Sequence, residues 1–153
     1  MLKHLKSDNI VSEFQSYAEV VFEALSANVK TFVTINEPYS YCTFGHIGLQ
    51  PPALSRPEDG ALLCGHNVLR AHASVAKLYH EKYSGRTGQI GLNLEATWSE
   101  PKIWSEEKEV DAAWRMMQFN LGWFIHPLIH GDYPEIIKQY VNENRVSITI
   151  NFH

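Results

Sequence analysis

Thr31-Phe-Val-Thr-Ile-Asn-Glu-Pro38 decides how the rest of the chain is read. It opens as a β-branched and aromatic run, which predicts a buried strand. It closes on an amide and a carboxylate, Asn36 and Glu37, and then on Pro38, whose missing N–H stops a ladder. In parallel-sheet proteins, ligands sit at the carboxyl ends of the strands. A strand that delivers Asn36 and Glu37 at that end is suited to presenting polar groups to a ligand.

The flanks supply the elements that such a strand needs. Over 7–27 the apolar residues Ile10, Val11, Phe14, Tyr17, Ala18, Val21, Phe22 and Leu25 fall on one helical face, with Ser7 or Asp8 available as the cap. A second helix is predicted over 61–83, capped by Asp59. Its buried face is Ala61, Cys64, Val68, Ala71, Val75, Leu78 and Tyr79. Then Gln89-Ile-Gly-Leu-Asn-Leu-Glu-Ala96 alternates Ile90, Leu92 and Leu94 with smaller or polar residues and reads as a second strand. Strand, helix and strand at this spacing predict a βαβ unit with parallel strands. Trp98, Glu100 and Pro101 follow the second strand at the end that also holds Glu37.

Between these elements, 39–60 carries Gly45, Gly48, Pro51, Pro52 and Pro57, so little regular structure is expected there. Its aromatics, Tyr39, Tyr41 and Phe44, and His46 are suited to a sugar face, although the plainer expectation is that they pin the loop to the body. Beyond the second strand, Ser105-Glu-Glu opens a helix with acidic residues at its positive end. Val110, Ala113, Trp114, Met117 and Leu121 form its apolar face, with Trp114 and Met117 expected in the core, and Gly122 is expected to end it. Pro127 lies between His126 and His130 and argues against a helical metal pair. Asp132-Tyr-Pro-Glu135 predicts a capped helix to about Val141, with proline at its first position. Val146-Ser-Ile-Thr-Ile150 alternates like a strand in a tail, 142–153, that has no evident partner.

Composition narrows the function classes. The chain has 153 residues, is 44% apolar and carries a net charge of -4, which fits one globular domain. That charge gives no electrostatic footprint for nucleic acid or an anionic membrane. No apolar run reaches membrane-spanning length. Met1-Leu-Lys-His-Leu-Lys6 lacks the hydrophobic stretch of a secretory signal, so a cytoplasmic location is expected for the sequence as written. Cys42 and Cys64 are accordingly expected to be reduced. His66, His72 and His80 have no second ligand cluster, so neither a metal nor a cofactor is expected.

Several stretches together resemble one family. Asn36-Glu37-Pro38 after Thr31-Phe-Val-Thr-Ile35 resembles the acid/base motif of family 1 glycoside hydrolases, the β-glucosidase, lactase and myrosinase group. Cys64-Gly-His-Asn-Val-Leu-Arg-Ala-His-Ala73 is similar to the family's helix after that strand. Gly88-Gln-Ile-Gly-Leu-Asn-Leu-Glu-Ala-Thr-Trp-Ser-Glu-Pro101 is similar to its fifth strand and the loop after it. Gln118-Phe-Asn-Leu-Gly-Trp-Phe-Ile-His-Pro127 and Gly131-Asp-Tyr-Pro134 resemble the next helix and its exit. The resemblance runs over 7–141, and 142–153 diverges.

The resemblance implies an α/β fold, part of a (β/α)8 TIM barrel around strands 4 and 5 with their helices. It implies retaining hydrolysis of a β-glycoside substrate. Glu37 is then the acid/base, Asn36 the amide that holds the sugar 2-hydroxyl, and Trp98 a sugar contact, with the two reacting carboxyls about 5 Å apart. Family members are often secreted, in contrast to the location expected from the N-terminal residues. The family's nucleophile lies in a Thr-Glu-Asn-Gly motif, and the 153 residues contain none. The chain alone is therefore expected to be inactive. The alternative is a non-catalytic module that binds carbohydrate or protein.

Overall fold

The periodic apolar residues of the first segment form α1 (Asn9–Leu25), which leads through a tight turn into β1 (Thr31–Asn36). The computed structural model describes residues 9–50, 53, 60–83, 85 and 88–144. The caps expected at Ser7, Asp8 and Asp59 and the strand-like run at 146–150 lie outside these residues. The chain divides into two compact units, Met1–Asn93 and Leu94–His153.

The first unit is α/β. After β1 come α2 (Pro38–His46), α3 (Gly60–Tyr83) and β2 (Gln89–Asn93). The two strands pair in parallel, with Thr31 opposite Gln89, Phe32 opposite Ile90 and Val33 opposite Gly91. The predicted βαβ unit is present, and β2 is shorter than the 89–96 expected. Of the predicted α3 face, Cys64, Val68, Ala71, Val75, Leu78 and Tyr79 are buried.

Phe22 of α1 is the centre of the packing. Its ring meets Phe32 of β1 at 5.0 Å, Tyr79 of α3 at 5.0 Å and Tyr83 at 5.6 Å, all edge to face. Ala18, Val75 and Leu78 close the same cluster, with Phe14 and Ile90 packed against it. Burying a side chain of this size contributes roughly 1.5–3 kcal/mol. Gly88 is required at the entry to β2, because a Cβ there would lie 2.1 Å from the hydroxyl of the buried Tyr79. The other face of β1 is open: Val33 is 54% exposed, so the strand is not buried on both sides as its composition suggests.

A half-buried polar link ties α3 to the sheet. The Thr34 hydroxyl donates to the Gly91 carbonyl at 3.2 Å and sits 2.8 Å from His72 Nδ1, whose N–H it can accept. Burial holds His72 below the ordinary imidazole range. Burial does the same for His66, with a smaller contribution from the Arg70 charge.

Two expectations for the first unit are corrected. Residues 38–46 of the supposedly irregular segment form α2, because Pro38 occupies the first helical turn, where no N–H is needed. Cys42 and Cys64 form a disulfide, Cα–Cα 5.6 Å, that joins α2 to α3 across 22 residues of sequence. The expectation of free thiols rested on compartment, whereas the packing of α2 on α3 puts both sulfurs in contact in the core.

In the second unit, α4 (Glu107–Met117), a π turn (Gln118–Gly122) and α5 (Trp123–His130) run on continuously, and α6 (Glu135–Glu143) comes next. Gly122 therefore does not end the helix: the wider turn carries the chain through it. Pro127 also stays inside α5. Pro134 is the N-cap of α6 rather than its first residue. Trp123, Phe124, Tyr133, Ile137 and Val141 are buried. Trp114, expected in the core, is 64% exposed, and no residue of α4 is buried. No described helix is long and apolar enough to cross a membrane.

Closing the loop between Cys42 and Cys64 should stabilise the fold by about 3 kcal/mol. Thiol titration of denatured protein should find no free thiol before reduction and two after it. Cys42→Ala with Cys64→Ala should lower the denaturant midpoint, and reduction should then have no further effect. A second expected outcome concerns pH. A depressed folded-state value for His72 against an ordinary unfolded one near 6.5 means the unfolded chain binds the proton first as pH falls. Stability is full above about pH 6.5 and declines below it, until the folded-state value is passed. In urea unfolding at a series of pH values between 7 and 5, His72→Gln should flatten that decline.

Candidate active site

The ladder between β1 and β2 changes register at its end. Val33 faces Gly91, yet Asn36 faces Asn93, so Thr34 and Ile35 together oppose Leu92 alone. A bulge of this kind re-aims the residues after it and is common beside functional sites. Here it brings the two strand-terminal asparagines side by side, and Asn93 Nδ2 donates to Asn36 Oδ1. With Oδ1 accepting that bond, the Asn36 amide keeps its two N–H donors for another partner.

Glu37 is the next residue. Its backbone N–H donates to Asn93 O at 2.8 Å, extending the ladder by one bond. Its carbonyl accepts from Tyr41 N at 3.0 Å, which starts α2. Between these two bonds the backbone turns through φ 46, ψ 59, the left-handed region. A residue with a Cβ is disfavoured there, by roughly 1–2 kcal/mol, and the proline after it restricts it further. The carboxylate makes no capping bond to α2. Asn36 and Glu37 are both exposed.

Behind Glu37, α2 is firmly seated. Pro38, Cys42, Gly45 and His46 are buried, and His46 Nδ1 lies 2.7 Å from the Cys42 carbonyl, to which it donates. Burial pushes the Tyr41 phenol up. Tyr39, Tyr41 and Phe44 are half-buried side chains of this helix.

Trp98, the third residue singled out in the sequence, belongs to the second unit and is 70% exposed. The backbone on either side of it is fixed. Thr97 N–H donates to the buried Asn120 Oδ1 at 2.8 Å, and Ser99 N–H points at Met117 Sδ at 3.4 Å. Asn120 lies in the π turn, a feature frequent at functional sites.

The structure adds Asn93 to the residues found from sequence. The available signal was positional: Asn36 and Asn93 each end a strand, and parallel pairing places those ends together. No group of three or more metal-ligating side chains occurs among the described residues.

Comparison with known proteins then bears on the geometry. The pattern of glycosyl hydrolase family 1 matches residues 4–153, including the tail that carries none of the family-like motifs. Lactase/phlorizin hydrolase of Homo sapiens is 34% identical over 95% of this chain and 8% of its own length. Furcatin hydrolase of Viburnum furcatum is 38% identical over 94% of this chain and 28% of its own. Among solved structures, aphid myrosinase superposes with a TM-score of 0.89 at 31% identity, covering 97% of this chain and 33% of that one. A rice β-glucosidase gives 0.86 at 31% identity over 92% and 32%. A glutamate-to-glutamine mutant of the rice enzyme has been solved in covalent complex with glucose. These structures are TIM-barrel glycosidases, and the chain spans about a third of their length.

The strained backbone at Glu37 has a measurable consequence. Glu37→Gly should raise stability in urea unfolding by about 1 kcal/mol, because only glycine adopts this φ without a Cβ clash. Glu37→Ala, which removes the same charge but keeps the Cβ, should not. Equal effects of the two would assign the gain to charge.

Proposed function

The chain belongs to glycosyl hydrolase family 1, and from that premise we propose that it carries the proton-transfer half of a retaining β-glycosidase, on strands 4 and 5 of a (β/α)8 barrel. The reading rests chiefly on one observation: Asn36, Glu37 and Asn93 converge at the carboxyl ends of two parallel strands, with the Glu37 carboxylate not used to cap α2.

In the proposed mechanism Glu37 protonates the glycosidic oxygen as its bond to the anomeric carbon breaks. A second carboxylate attacks that carbon from the opposite face and forms a glycosyl-enzyme. Glu37, now ionised, takes a proton from water as that water attacks the anomeric carbon and the carboxylate leaves. A covalent complex with glucose is recorded for the rice relative. Asn36 donates an amide N–H to the sugar 2-hydroxyl, and Asn93 holds that amide by occupying its oxygen. Trp98 offers a flat apolar face to the pyranose C–H groups. The substrate class is a β-glycoside, with β-glucosides as the first choice, and the chemistry calls on two carboxylates and water.

The attacking carboxylate is not supplied by a Thr-Glu-Asn-Gly segment within these 153 residues. The chain alone is accordingly proposed to be incompetent for turnover. Two assays test the reading. The purified chain should not release aglycone from an aryl β-glucoside, and turnover that vanishes in Glu37→Gln would refute its incompetence. Residues 9–144 grafted into a family 1 β-glucosidase in place of the matching third should support hydrolysis. In that graft Glu37→Gln should lower the rate about 10²–10⁴-fold. Added azide, a nucleophile needing no base, should restore part of it. A graft indifferent to Glu37→Gln would remove Glu37 from the mechanism.

A further inference from the structure

Helix α5 carries a feature that glycoside chemistry does not use. His126 and His130 stand one turn apart, and Pro127 between them does not separate their rings: the centroids are 4.4 Å apart. Pro127 lies inside the continuous helical run, and the π turn just before α5 widens the backbone on its N-terminal side. The spacing that the sequence discounted is therefore realised on one helical face.

The chemistry of the pair is also set. His126 Nδ1 lies 2.6 Å from the Asp132 carbonyl oxygen, so this nitrogen carries the proton and donates it. The lone pair is then on Nε2. A histidine tied through one nitrogen to a backbone carbonyl and left with the other as a Lewis base is the arrangement of a metal-ligating imidazole. The acceptor is itself fixed: Asp132 Oδ1 accepts from Tyr133 N at 2.7 Å, and Oδ2 accepts from Lys138 Nζ at 2.9 Å. The carboxylate is thus committed elsewhere, and the imidazoles are the ligands the site offers. Both histidines line a groove of about 210 Å³ with Trp114, Gln118 and Ile125, and His130 is exposed.

We propose that His126 and His130 form a two-imidazole site for a late first-row divalent cation. Imidazole nitrogen suits Zn²⁺, Ni²⁺ and Cu²⁺, and affinity rises along the series towards Cu²⁺. Hard ions such as Mg²⁺ and Ca²⁺ prefer full sets of oxygen ligands over imidazole nitrogen. With two protein ligands the remaining positions belong to water, so the ion is exchangeable. One helix provides both nitrogens, and the second binds at the high effective concentration set by a single helical turn.

The test is calorimetric titration of the full 153-residue chain with Ni²⁺ alone. One site above the background of the other histidines is expected, and Mg²⁺ should give no heat. His130→Asn and His126→Asn should each weaken that site about tenfold or more, because each leaves a single imidazole. Because His130 is exposed, His130→Asn should keep the circular dichroism spectrum of the parent, which separates lost binding from lost fold. A second readout uses Trp114: bound Ni²⁺ should quench tryptophan emission, and Trp114→Phe should reduce the quench while the calorimetric binding persists. Unchanged Ni²⁺ affinity in both histidine variants would overturn the proposal. So would a quench that persists in full in either of them.

Discussion

The packing of Phe22 against Phe32, Tyr79 and Tyr83 is the constraint on which the first unit depends. It is the one place where α1, β1 and α3 meet through large side chains among the described residues. Phe32 is also the second residue of the strand, and strand side chains alternate between faces. Fixing that ring on the helical side therefore fixes the facing of every later residue up to the bulge. The link from Thr34 to His72 and Gly91 repeats the constraint two residues on, this time through hydrogen bonds. By the time the chain reaches Asn36 it has little freedom left in direction or register.

That rigidity accounts for the backbone at Glu37. A left-handed, non-glycine residue before a proline persists only where its surroundings over-determine it. Upstream, the β1 ladder ends on a bond from Glu37 N to Asn93 O. Downstream, α2 begins at Pro38 and is fastened to α3 by the disulfide from Cys42 to Cys64. Glu37 sits between two fixed elements and absorbs the change of direction. Its carboxylate makes no capping bond to α2.

Much of this was legible in the sequence, because periodicity reports burial. The faces of α1 and α3 come from apolar spacing, and the parallel pairing comes from strand, helix and strand in order. Other features were not legible, each for a physical reason. Whether Pro38 ends a strand or begins a helix is decided by the residues after it, and nine residues with few strong helix formers give little signal. The disulfide depends on two helices meeting, whereas the sequence argument concerned only the cell compartment. The continuous run from α4 through α5 depends on a π turn that includes Gly122, and Pro127 follows inside α5. The pairing of Asn93 with Asn36 required the bulge between Val33 and Asn36, and a one-residue shift of register leaves no mark in composition.

The open side of β1 bears directly on the chemistry. Val33 is an apolar residue more than half exposed, and each strand has one edge without a strand partner among the described residues. Parallel strands are ordinarily covered on both faces. The Glu37 side chain at the tip of this strand is exposed to water. Cover from further strands, as in a closed barrel, would bury Val33 and remove the open edges.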